Sequence, residues 1–229
     1  EPPLQYHYLK RPYQLISLTA TKVPVASYLG SKGEKLENDA PVDEIVYSIY
    51  DIHIQPGIMY QPHPACARDD QGALRCQSLS AGDLSDIHVL GDFKHTGTRE
   101  LTAADYVYQI KRLAHPQLHS PIFGLMSEYI VGLEDYAGTL KTVADAAATG
   151  DEQGTYIDLT QYPLAGAEVV DRYHYRIKVH GKYPQLLYWL AMPFFAPVPQ
   201  EVDQFYSQPG MKQRNITLDW YPVGTGPYM

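Results

Sequence analysis

Hydrophobic and polar positions alternate most cleanly over residues 173–179. Tyr175, Ile177 and Val179 fall on one face, and His174, Arg176 and Lys178 on the other. A period of two over that length predicts a half-buried β-strand. Residues 168–171 predict a short strand ahead of it, and Gly181 a turn after it. Pro184 suits the first position of a helix over 185–191, because proline has no N–H to leave unpaired; Pro193 ends that helix. Residues 196–199 read as extended, since a residue that precedes proline is pushed out of the helical region.

The same reading covers the rest of the chain. Leu4, Tyr6 and Tyr8 alternate, and 15–18 form a second apolar run. Residues 30–43 are polar and predict a loop. Over 45–55, Ile45, Tyr47 and Ile49 alternate, and Ile52 and Ile54 continue on that side after a shift near Asp51, which predicts a strand with a bulge. Residues 102–114 predict a helix. Thr102 is its N-cap, Asp105 three residues on completes a capping box, Val107, Ile110, Leu113 and Ala114 form one apolar stripe, and His115-Pro116 stops it. Further helices are expected over 121–131, over 133–148 (Tyr136, Leu140, Val143 and Ala147 on one side, ended by 150–154) and over 200–206. Residues 207–219 read as irregular, and 221–228 turn through two glycines into a final strand. The class is mixed α/β.

With 229 residues and 45% hydrophobic content, the chain is long enough for a real core. Its net charge of −8 argues against nucleic acid and against anionic membrane surfaces as partners. No apolar run approaches the length of a membrane span, so no membrane insertion of this segment is expected. Twenty tyrosines offer apolar faces with hydroxyl handles, useful in a binding surface or in a core with wet edges.

Chemistry-bearing motifs are few. His63, Cys66 and Cys76 lie close in sequence, but structural zinc takes four ligands at recurring spacings, so no metal is expected. His115 and His119 are four apart with Pro116 between them, which breaks any helix that would align them. No nucleophile elbow, zincin helix or phosphate loop is present, which leaves a secreted hydrolase without a nucleophile–base pair. Gly224-Thr225-Gly226 reads as tight backbone turning, and no cofactor is implied.

Several blocks, in order, resemble the family 5 extracellular solute-binding proteins of ABC importers, the oligopeptide- and dipeptide-binding type. They are Gly166 to Asp171, Tyr175 to Val179, Pro184 to Leu190, Phe194 to Pro199, the "P-V-G-T-G-P-Y" of Pro222 to Tyr228, and "L-T-A-x-D" from Leu101 with Tyr106 ahead of Val107. Ser17 and Gln55 depart from the family's usual proline and arginine. Residues 61–92 interrupt the family pattern, which resumes at Phe93 to Gly97.

The resemblance implies part of a two-lobed, class II periplasmic-binding-protein fold. Residues 1–18 and 166–229 would be a partial first lobe, and 19–165 a companion subdomain carrying the insert at about 61–92. It implies an N-terminal fragment of a longer protein whose signal peptide has been removed, periplasmic or extracytoplasmic, free or lipid-anchored at full length. The expected role is non-enzymatic capture of a solute, a peptide first of all, and its delivery to permease subunits. A sensor or chaperone on the same fold is the alternative. Glu1 would stand for the family's ligand-side glutamate, and Phe123, Met126 and Tyr129 for aromatics and neighbours over the ligand. Because the family is exported, Cys66 and Cys76 would form a local disulfide across an exposed, hairpin-like insert.

Overall fold

The computed structural model describes residues 1–148 and 156–226. The chain divides into two compact units. One comprises Glu1–Pro56, Thr102–Val143 and Leu159–Pro197; the other comprises Gly57–Leu101, Ala144–Asp158 and Val198–Met229.

The first unit opens with an antiparallel hairpin, β1 (Leu4–Tyr6) against β2 (Leu15–Ser17). Its main sheet has five antiparallel strands: β3 (Ala26–Leu29), β4 (Lys35–Leu36), β5 (Tyr47–His53), β6 (Ala167–Asp171) and β7 (His174–His180), in the order β4-β3-β5-β7-β6. The alternation in β7 is realised. Tyr175, Ile177 and Val179 are buried and pair across to Ile52, Tyr50 and Ser48 of β5.

The expected bulge near Asp51 is absent. β5 pairs with β7 without interruption from Tyr47 to His53. Ile49 and Ile52 therefore lie on opposite faces, and both are covered. Tyr47 and Ile49 lie on the face that also carries Asp51 and His53, whereas Ile52 lies on the inner face with Ser48 and Tyr50, which is why the apolar pattern looked shifted. The irregularity lies instead in β6, between Val169 and Asp171.

Helix α1 (Ala103–Arg112) packs under this sheet, with the Tyr106 ring stacked on Tyr175 at 5.1 Å. Its start is as expected: the Thr102 N–H donates to Asp105 Oδ2 at 2.9 Å, and the Thr102 hydroxyl donates to the same oxygen at 3.3 Å. Thr102→Ala is expected to lower stability by about 1 kcal/mol, read from the urea midpoint. An unchanged midpoint would mean that the Asp105 carboxylate caps the helix without the hydroxyl.

Helices α2 (Phe123–Tyr129), α3 (Leu133–Ala148) and α4 (Leu186–Trp189) follow. Tyr136 and Leu140 of α3 are buried as expected. The residues expected to end α3, 150–154, lie outside the described residues. Gly181 turns the chain with φ +62°, a conformation that favours glycine. The buried Lys111 of α1 donates from Nζ to the carbonyls of Leu159 and Tyr162 at 3.2 and 2.7 Å, which fixes the chain leading into β6.

In the second unit, α5 (Gln200–Tyr206) lies against a short turn at Pro64–Cys66. The core joins Ala65, Cys76, Leu84 and Ile87 with Val202, Phe205, Met211 and Ile216. Polar ties reinforce it. Arg214 donates to the carbonyls of Leu84, Ile87 and Gly210 at 3.0–3.1 Å. Gln208 donates to the Cys76 carbonyl at 2.8 Å and accepts from the Leu79 N–H at 2.7 Å. Arg99 forms a two-pronged ion pair with Glu201.

Three expectations are corrected here. The insert at 61–92 is not simply exposed: four of the nine buried residues of this core, Ala65, Cys76, Leu84 and Ile87, belong to it. Cys66 and Cys76 are not bridged. They are separate buried thiols: Cys66 Sγ faces Glu201 at 4.0 Å, whereas Cys76 packs with the core around Phe205. A hairpin does lie between them, with the Arg75 N–H bonded to the Ala67 carbonyl at 2.9 Å, but its base is packed inside and turns the two sulfurs toward different neighbours. No strand forms over 221–226, and 227–228 lie outside the described residues. The expected lobe division at 18/19 and 165/166 is distinct from the two compact units, in the first of which β3 and β5 share one sheet with β6 and β7.

Candidate functional site

The face of the main sheet opposite α1 is polar. Across β5 and β7 it pairs His53 with His174, Asp51 with Arg176, Ile49 with Lys178 and Tyr47 with His180. Asp51 Oδ1 lies 2.8 Å from His174 Nε2 and accepts from Arg176 Nε at 2.9 Å, while Arg176 Nη1 reaches Glu168 at 2.9 Å. Burial works against the charged carboxylate, but the bonds from His174 and Arg176 outweigh it and hold the Asp51 carboxyl below its usual range. The His53 and His174 rings stack at 4.1 Å, and Lys178 Nζ sits 4.0 Å over the Tyr47 ring.

A cavity of about 280 Å³ opens on this face, lined by Leu29, Ile49, Gly166, Glu168, Arg176 and Lys178 among others. It offers both signs of charge beside an apolar floor, which is what a small zwitterionic solute or a peptide end requires. Gly166 fits here for a local reason: a Cβ would sit 2.4 Å from the Val131 carbonyl oxygen.

A more apolar cavity of about 190 Å³ lies within the second unit, between Gln61-Pro62-His63, Leu90 and Trp220 to Val223. Gln61 anchors its rim, with its N–H to the Gly224 carbonyl at 2.9 Å and Nε2 to the Gly226 carbonyl at 3.0 Å. A Cβ on Gly224 would meet nothing closer than 3.8 Å.

Behind this cavity runs a buried relay. The Ala65 N–H donates to His63 Nδ1 at 3.1 Å, so the ring proton is on Nε2, which donates to Tyr206 Oη at 2.8 Å; the Tyr206 hydroxyl in turn donates to the Tyr221 carbonyl at 2.7 Å. Both nitrogens of the ring are used within the fold. Burial pushes the His63 pKa down to about 4 and the Tyr206 pKa up. Sequence reading noticed His63 only as a zinc candidate. Tyr206 lies 143 residues away, and no local spacing signals the pairing.

The four expected ligand residues are placed as follows. Glu1 lies beside α1, its carbonyl accepting from the Tyr106 hydroxyl at 3.2 Å. Met126 has no exposed surface and packs the inner side of α2. Phe123 and Tyr129 are half-buried on that helix, and Tyr129 stacks on Tyr183 at 3.6 Å. The hydroxyl of Tyr183 is in turn held by Trp189 Nε1 at 3.0 Å. The three α2 residues thus share a helix that borders β7 through the Ile130–Val179 bridge, while Glu1 is tied to α1.

No protein-family model matches the chain, and no curated protein does. Solved structures do. The pheromone receptor PrgZ, described with its mode of peptide binding, superposes over 99% of this chain at a TM-score of 0.52 and 14% identity. The peptide-bound DppA of Helicobacter pylori gives 0.49 at 15% identity, and the peptide-bound OppA of Listeria monocytogenes 0.48 at 14%. This chain spans 29–30% of the length of those proteins. The likeness to PrgZ shows the fold alone: a mixed α/β arrangement like part of that receptor.

Proposed function

We propose that this chain is part of an extracytoplasmic solute-binding protein of an ABC importer, which captures a peptide and hands it to membrane permease subunits without catalysis. The observation that carries this reading is the superposition of nearly the whole chain on the peptide-binding PrgZ. The charged cavity beside Glu168, Arg176 and Lys178 supports it, since a peptide brings a terminal ammonium, a carboxylate and apolar side chains. In this reading the first unit supplies the sheet-bearing part and the second the companion part. Ligand contact shifts an open–closed equilibrium of the whole protein.

A second reading, a solute sensor on the same fold, is favoured by one finding: PrgZ is itself a receptor. Neighbouring permease and ATPase genes favour import, and their absence favours the sensor. Native mass spectrometry of the protein purified from its own cells tests the shared core of both readings. The expected result is a retained mass that fragments as a peptide. A protein that retains nothing, and gains nothing when peptide mixtures are added, would overturn both.

A further inference from the structure

The turn between β1 and β2, residues 7–14, is unlike the rest of the molecule. His7 Nδ1 accepts from the N–H groups of Leu9 and Lys10 at 3.3 Å each, and Arg11 Nη1 donates to the carbonyls of Tyr8 and Lys10 at 3.2 and 3.0 Å. The His7 N–H closes the base onto the Gln14 carbonyl at 2.8 Å. These bonds hold the tip in an ordered shape that turns its large side chains outward: Tyr8 is 87% exposed, Leu9 78% and Tyr13 68%. Behind them Tyr6 stacks on Tyr188 at 6.4 Å and meets Tyr13 edge-on at 6.2 Å, so aromatic surface continues from the tip to α4.

The charge here is opposite to that of the chain. From residue 2 to residue 33 the charged side chains are Lys10, Arg11, Lys22 and Lys32, with no carboxylate among them, in a protein of net charge −8. Two of those cations sit in the tip itself, and the Arg11 guanidinium lies 4.3 Å over the Tyr13 ring. Tyrosine rings settle at the headgroup level of a bilayer, a leucine beside them reaches the acyl boundary, and lysine and arginine are drawn to anionic headgroups.

We infer that this hairpin tip docks the protein on the surface of an anionic phospholipid bilayer, with Tyr8 and Leu9 entering the headgroup layer and Lys10 and Arg11 on the phosphates. The overall negative charge repels the remainder of the molecule, so attachment is confined to the tip and is weakened by salt. No described helix is long and apolar enough to cross a bilayer. This surface is separate from the proposed solute site and does not depend on it.

The test is co-sedimentation of the chain with vesicles of phosphatidylcholine containing about 30 mol % phosphatidylglycerol, against pure phosphatidylcholine. Binding is expected to the anionic vesicles alone and to be lost at about 0.5 M salt. Each tip cation contributes about fivefold, so Lys10→Ser with Arg11→Ser should weaken partitioning about 25-fold. Tyr8→Ser with Leu9→Ser should weaken it several-fold, and Lys141→Ser, on the exposed side of α3, should leave it unchanged. Arg11 also bonds the Tyr8 and Lys10 carbonyls, so Lys10→Ser alone, expected to weaken partitioning about fivefold, is measured beside the double charge variant, and the thermal transition is checked for each. Absence of binding, or tip variants that sediment like the parent, overturns the inference. So does a tip whose variants dissolve a dimer in sedimentation velocity while vesicle binding persists, because the occupant would then be a second copy.

Discussion

Acidification from pH 6.5 to about 4 is expected to destabilise the second unit by up to about 3 kcal/mol through His63 alone. His63 Nδ1 accepts the Ala65 N–H, so a proton added there would face a donor, inside a site where the charged ring loses its hydration. The folded state therefore binds that proton only near pH 4, whereas the unfolded chain binds it near 6.5. Between those values the unfolded state holds more protons, so stability falls as pH falls, and below about 4 this residue contributes no further loss. Urea midpoints measured across pH 7 to 3.5 give the slope. In His63→Gln the slope over this window should flatten, at the cost of lower stability at pH 7. A slope that survives in the variant would assign the acid sensitivity elsewhere. Asp51, whose pKa is held below 3.8, acts in a lower window: its stabilising bonds are lost only as pH falls through that depressed value.

Phe205→Ala is expected to cost about 3–5 kcal/mol, because the side chain is fully buried and meets His63, Phe93 and Tyr206 edge-on at 5.1–5.3 Å. The informative readout is thiol accessibility. Native Cys66 and Cys76 should react slowly with iodoacetamide, and the Cys76 thiol is further quieted by burial, which raises its pKa. In Phe205→Ala both should become reactive at lower urea than in the parent, in step with each other. If they stayed protected while α5 unfolded, 61–92 would hold together without the residues beyond 200.

How much of this was legible beforehand depends on how far each residue's partner lies along the chain. The helices at Ala103–Arg112 and Leu133–Ala148 and the strand at His174–His180 were readable because their faces repeat within a few residues. β5 was misread because Tyr47 and Ile49 stand on its otherwise polar face and Ile52 on the inner one, so the apolar residues appeared to demand a bulge. The segment 61–92 looked like a polar excursion because its apolar residues (Ala65, Leu84 and Ile87) are sparse and find their partners beyond residue 200. The same distance hid the His63–Tyr206 relay. Of the expected ligand residues, helical spacing placed Phe123, Met126 and Tyr129 near one another on α2, but it could not tell that Met126 faces inward.

That reach across the sequence also fixes an order of events. During synthesis a chain appears N-terminus first. β5 can be flanked on its β7 side only once residues 174–180 exist, and the core under 61–92 closes only when Phe205, Met211 and Ile216 arrive. Until then Ala65, Leu84 and Ile87 have no hydrophobic shelter, and both thiols are open to oxidants and to binding by holding chaperones. Non-local pairing of this kind folds slowly. The finished protein protects its cysteines by packing, so the time in which they can be captured is set by the birth of the last residue of the core.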